Sequence, residues 1–215
     1  MPTFSHLPGL DRLISVCQQH SLALKLSPPL ASVPKDGELV LGEPFEPQLA
    51  AVYQRMGSAE LGSLTLYGPH SGEQGLIPRN EQLRQYDFVH TRSSLVFGKE
   101  TGFAYYHGTV PRLADSQGLQ PVVFISNYEE KYAVPVAASV DRFFYLYSCY
   151  LELLVADPGY GQSGASLPGF PWDMAPLIKR DEPLMEQVLA GRFDFLADNY
   201  WGALEWLQQL RAARF

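Results

Sequence analysis

The sequence predicts an α+β domain: a mainly antiparallel sheet packed by helices, followed by a C-terminal helical extension. Three observations lead there. Apolar residues recur at helical spacing near the start, around residue 50 and after Ser139, whereas between 61 and 137 short runs rich in Val, Ile, Phe and Tyr alternate with turn residues. The turns at Lys99-Glu100-Thr101-Gly102 and Asn127-Tyr128-Glu129-Glu130-Lys131 leave no room for a crossover helix, so the strands they join are antiparallel neighbours. The composition, 46% hydrophobic and 13% aromatic over 215 residues, suits one packed core with additions.

Leu10, Leu13, Ile14 and Cys17 share a helical face, which predicts a helix over 9–20 with Asp11 in its first turn. Pro28, Pro29 and Pro34 then make an extended connection. Pro47 opens a second helix, in which Leu49, Val52, Tyr53 and Met56 recur before Gly57 ends it. Residues 61–67 read as one short strand closed by Gly68-Pro69, and 79–86, with Leu83 and Tyr86, as a helical turn. Ser94–Gly98 and Phe103–His107 form a hairpin whose turn places Gly102 where positive φ is cheap. Val122–Ser126 and Tyr132–Val136 are two further strands, and Pro135, which donates no hydrogen bond, marks an edge or a strand end.

Ser139 caps a long helix over 140–155 with Phe143, Leu146, Tyr147, Tyr150 and Leu154 three and four apart, and Asp141 at its positive end. A helix so apolar is one covered on several sides. Two more helices are expected at 182–190 and 194–213. The organisation is therefore residues 1–40 as N-terminal helix and connection, 41–156 as the α+β domain, 157–172 as a Gly/Pro hinge and 173–215 as the helical extension.

Gly159, Gly161 and Gly164 spell the G-x-G-x-x-G of a dinucleotide loop. They follow a helix instead of a strand, and Pro168, Gly169 and Pro171 follow them where a phosphate-binding helix would have to start. No cofactor is expected. The five histidines have no zinc-site spacing, and Cys17 and Cys149 are too far apart to suggest a metal site or a disulfide framework. Ser163 lacks the second glycine and the preceding strand of a nucleophile elbow. His70, His107 and Asp87 are the residues from which a dispersed enzyme site could be built; the simpler reading makes the two histidines surface residues. With 16 Lys and Arg against 23 Asp and Glu, the formal charge of −7 disfavours nucleic acid and anionic lipid and favours a basic partner. The start carries no export signal and no apolar run reaches membrane-spanning length, so a cytoplasmic protein is expected.

The stretch Val134-Pro-Val-Ala-Ala-Ser-Val-Asp-Arg-Phe-Phe-Tyr-Leu-Tyr resembles the closing signature of the SMI1/KNR4-like (SUKH) superfamily, in which a strand ends in small residues and a serine starts a helix. Leu49-Ala-Ala-Val-Tyr before Gly57 and the strand pair around Lys99–Gly102 are similar to further parts of that pattern. The resemblance covers about 40–156; a Gly-Gly after the second helix and the family's tryptophan are missing. It implies a non-enzymatic binding module, in bacteria an immunity protein that neutralises a cognate toxin by covering it. The docking patch expected on this reading is acidic and aromatic: Tyr128, Glu129 and Glu130 on one turn, with Glu100 and Asp115 on neighbouring turns. The alternatives are the small enzyme already named and a structural adaptor in a larger assembly.

Overall fold

The computed structural model describes residues 6–29, 34–35, 37–69, 72, 75–86, 88–128, 131–197 and 200–212. In chain order the elements are α1 (Pro8–Gln19), β1 (Leu24–Leu26), β2 (Leu39–Val40), β3 (Glu43–Pro44), α2 (Pro47–Arg55), β4 (Ala59–Leu61), β5 (Leu64–Leu66), α3 (Leu76–Arg84), α4 (Val89–Arg92), β6 (Leu95–Glu100), β7 (Tyr105–Thr109), β8 (Val122–Asn127), β9 (Lys131–Ala137), α5 (Val140–Ala156), α6 (Ala175–Ile178), α7 (Glu182–Leu189) and α8 (Trp201–Arg211). The main sheet has seven strands in the order β1-β4-β5-β6-β7-β8-β9, and every neighbouring pair is antiparallel. The fold is thus the expected α+β arrangement with a C-terminal helical extension.

The sheet reaches further back than the sequence suggested. The run at 61–67 is two strands, because Gly62 takes φ of 63° and with Ser63 forms the two-residue glycine-first loop that hairpins favour. β4 then pairs on its other side with β1, Leu24 opposite Leu61. Pro135 lies, as expected, on an edge strand: β9 is the last in the order. That edge is covered by α8, whose Trp206 indole N–H donates to the Pro135 carbonyl at 3.0 Å.

α5 is the central helix. Ser139 Oγ accepts from the Arg142 N–H at 3.3 Å, and Val140, Phe143, Phe144, Leu146 and Tyr147 are fully buried. Each of the large apolar side chains among them contributes ~1.5–3 kcal/mol by leaving water. Phe143 meets Phe97 of β6 edge-on at 5.7 Å. On its outer side α5 touches α1 backbone to backbone, and the Asp141 carboxylate accepts the N–H groups of Gly9 and Leu10, both at 3.1 Å. Asp141 therefore serves the positive end of a neighbouring helix as well as its own. In the extension, the helix expected from 194 begins at Trp201. Before it a 3₁₀ turn, Asp194–Leu196, brings the buried Phe193 and Leu196 to one side, because its repeat is three residues. Among the described residues no helix is long and apolar enough to cross a membrane.

Candidate functional site

Antiparallel order decides which turns meet. The Gly62-Ser63 loop, the 101–104 turn after β6 and the turn after β8 lie at one end of the sheet, while the 110–121 connection between β7 and β8 lies at the other. The Thr101 N–H donates to the Ser63 carbonyl at 2.7 Å, and the Asn127 N–H to the Ala104 carbonyl at 2.9 Å, so the first three-turn end is tied together.

A cleft of about 370 Å³ opens at this end. Phe103 comes from the β6–β7 turn, Tyr105 from the start of β7, Tyr150 and Leu154 from α5, and Leu167 to Phe170 with Trp172 from the Gly/Pro segment. At its base stand Ser63 and Glu100. The Gly/Pro segment thus does more than connect: Phe170 is buried against Tyr147, Tyr150, Phe143 and His107, with ring centroids 5.4–6.0 Å apart. A second hollow, lined by Leu22, Gly62, Thr101 and Tyr160 among others, adjoins the first through Ser63 and Leu154.

Glu100 was expected on an exposed hairpin tip, and here the structure corrects the reading. β6 runs two residues further, through Glu100, before Gly102 turns the chain at φ of 83°. A bulge between Val96 and Gly98 lets Gly98 pair with His107, and a Cβ at Gly98 would lie 2.9 Å from the Thr65 carbonyl of the next strand. By the strand period of two, Gly98 and Glu100 then face the same side, toward α5. There Glu100 Oε1 accepts from His107 Nε2 at 3.1 Å and Oε2 accepts from the Tyr147 hydroxyl at 2.8 Å. The Tyr147 oxygen in turn lies 2.7 Å from Ser63 Oγ, whose proton is the one free to close that bond. Burial, with the Glu100 charge second, holds the Tyr147 phenol well above the usual tyrosine range. It is a donor and remains one.

His107, expected at the surface, is fully buried in the middle of β7, against Phe143 at 4.7 Å. Nε2 faces Glu100, and Nδ1 has no hydrogen-bond partner among the described residues. The ring does not line the cleft, whereas its partner Glu100 does. Asp115 is exposed, but at the opposite end of the sheet, where its Oδ1 accepts the N–H groups of Gln117 and Leu119 at 2.8 and 2.9 Å and shapes its own loop. It does not join Glu100 in one patch. Tyr128 is at the cleft end and half exposed, its ring 5.0 Å from Tyr105 and its oxygen accepting from the Ala104 N–H at 3.2 Å. Glu129, Glu130, His70 and Asp87 lie outside the described residues.

Ser63, Tyr147, Tyr150, Phe170 and Trp172 were not singled out from the sequence as site residues. A signal existed for two of them. Tyr147 and Tyr150 share the Phe143 face of α5, so hydroxyls on that face had to find partners at its margin. Among the described residues no group of three or more His, Cys, Asp or Glu is placed to hold a metal ion. No family model matches the sequence, and no curated protein matches it either.

Proposed function

We propose that the chain is a binding protein of the SMI1/KNR4-like kind, an immunity protein that neutralises a basic bacterial toxin domain by stoichiometric contact in the cytoplasm. One observation carries the reading. At the cleft end of the sheet Phe103 is 59% exposed, Tyr128 44% and Trp172 38%, and the three are linked through Tyr105 and Phe124 by ring contacts of 4.9–6.4 Å. Large aromatic side chains left in water as a contiguous group are the usual anchors of protein interfaces. The formal charge of −7 adds long-range attraction for a cationic target and speeds encounter. The resemblance around Val134–Tyr147 supports the same class.

The test is co-expression with the product of the adjacent reading frame, followed by purification through the full-length chain at low salt and at about 0.5–1 M salt, where screening shortens to a few ångströms. A stoichiometric complex is expected, with Phe103→Ala weakening it at least about tenfold while leaving thermal unfolding unchanged. Failure to form a complex at low salt, or turnover of a small metabolite by the isolated chain, would overturn the reading.

A further inference from the structure

The cleft holds one ionisable carboxylate and a wall of rings. Glu100 is among the lining residues, its side chain 10% exposed, and among the described residues no Lys, Arg or His lines the cleft. Each carboxylate oxygen already accepts one internal hydrogen bond, from His107 and from Tyr147, which fixes the group in place and leaves each oxygen a further lone pair. Around this carboxylate stand Phe103, Tyr105, Tyr150, Phe170 and Trp172, whose ring faces carry the negative end of their quadrupoles.

We infer that the cleft is a receptor for an organic cation, and that its occupant in the complex is an arginine side chain of the protein partner. The cation site follows from the cleft itself; the source of the cation rests on the reading of the chain as a binder of a basic protein. A guanidinium matches both halves of the lining. Its plane stacks on aromatic faces, and its fork of N–H donors meets the free lone pairs of a carboxylate, which a compact ammonium does less well. The volume of about 370 Å³ is at the small end of the ~300–1,000 Å³ of ligand clefts, in keeping with one side chain instead of a cofactor. Burial first, and then the nearby carboxylates of Glu100 and Asp173, push the Tyr150 hydroxyl up to about 12.

The experiment uses the full chain and Nα-acetyl-arginine methylamide, with the uncharged citrulline analogue as the isosteric control and agmatine as a free small cation, read by NMR at the Trp172 indole. Saturable shifts with the arginine probe, at least about tenfold weaker with citrulline, are expected, and Glu100→Gln should erase that difference. If Glu100→Gln unfolds, the wild-type contrast between the two probes still decides, and Phe103→Ala at the exposed rim should weaken the arginine probe alone. Equal binding of arginine and citrulline probes, or no shift at Trp172, overturns the cation site. Agmatine binding more than about tenfold tighter than the arginine probe overturns the side-chain occupant while keeping the cation site. A basic partner whose affinity is untouched by Glu100→Gln refutes the occupant but leaves the proposed function standing; a responsive cleft with no protein partner refutes both the function and the occupant and leaves only the cation site.

Discussion

Replacing Gly9 by alanine sets two effects of opposite sign against each other, and the structure says which wins. Alanine is the better helix former by ~1 kcal/mol in a helix interior. A Cβ at Gly9, however, would lie 2.0 Å from the Asp141 carbonyl oxygen and 2.9 Å from the Tyr145 nitrogen, both backbone atoms of α5 that no side-chain rotation can move. Moving that Cβ from 2.0 Å to an ordinary contact of 3.4 Å requires α1 to shift at least ~1.4 Å away from α5, which lengthens the two bonds from the Gly9 and Leu10 N–H groups to Asp141, now at 3.1 Å. Hydrogen bonds to a charged group contribute ~1.5–3 kcal/mol each, and overpacking by itself costs ~1–3 kcal/mol. Partial loss of the bonds plus the strain comes to about 3–4 kcal/mol, against at most about 1 kcal/mol of propensity at Gly9, which lies in the first turn of α1. Gly202 is the internal control: it is helical, in α8, and the nearest atom to its added Cβ is Tyr132 Cε1 at 4.0 Å. Gly202→Ala should therefore stabilise by a few tenths of a kcal/mol to ~1 kcal/mol. Urea unfolding followed by circular dichroism measures both from the midpoint at constant slope. A Gly9→Ala protein as stable as the parent would refute the close approach of α1 and α5.

Tyr147→Phe removes the hydroxyl between Ser63 and Glu100, at 2.7 and 2.8 Å, and should destabilise by about 2 kcal/mol in the same urea assay; no loss would mean that the network is not formed. His90 gives an acid dependence. Burial, helped by Lys131, lowers its pKa from 6.5 to about 4, so the folded protein holds it neutral while the unfolded chain protonates it below 6.5. Stability therefore falls as pH drops from 6.5 toward about 4, by on the order of 3 kcal/mol, at ~1.4 kcal/mol per pH unit. Asp141 and Asp181, whose carboxyls burial raises, work in the opposite sense as acid is added, so the informative quantity is a difference. His90→Phe, which keeps the stack on Phe88, should lose less stability than the parent over that window; parallel curves would refute the assignment.

What the sequence revealed and what it concealed divide along the range of the interactions. α5 was legible because its apolar face and its Ser139 cap are written within a few turns, and the β6–β7 hairpin because Gly102 announces a positive φ. Pro135 marked the edge strand for the same local reason. The β1–β4 pairing was hidden, since three-residue strands carry too little alternation to be recognised and only the partner defines them. Glu100 was misplaced by a local rule applied two residues early. A charged residue beside Thr101 and Gly102 looks like a turn residue, and only the bulge between Val96 and Gly98 and the hydroxyl of Tyr147, arriving from α5, explain its burial in a strand. A buried carboxylate whose hydrogen-bond donors come from two other elements is a tertiary fact, and no window of neighbouring residues contains it.

The segment read from the sequence as a Gly/Pro hinge governs how strongly that carboxylate can act. Phe170 closes over His107, Tyr147 and Tyr150, and Trp172 packs at 5.1 Å on Trp206 of α8, so one wall of the cleft is held by the C-terminal extension. The attraction between two unit charges 4 Å apart is about 1 kcal/mol in bulk water and about 4 kcal/mol at the effective dielectric of a protein surface. Without the Phe170–Trp172 wall, Glu100 would face open water and sit near the lower figure, where an exposed ion pair contributes little. With it, water is excluded on the side of the rings while the carboxylate keeps its two internal donors, so the desolvation that would otherwise oppose a buried charge is already offset before a cation arrives. The extension therefore belongs to the site: by seating Trp172 on Trp206 it sets the local dielectric in which Glu100 works, and the strength of the cleft for a cation is a property of the sheet, α5 and the C-terminal helices together.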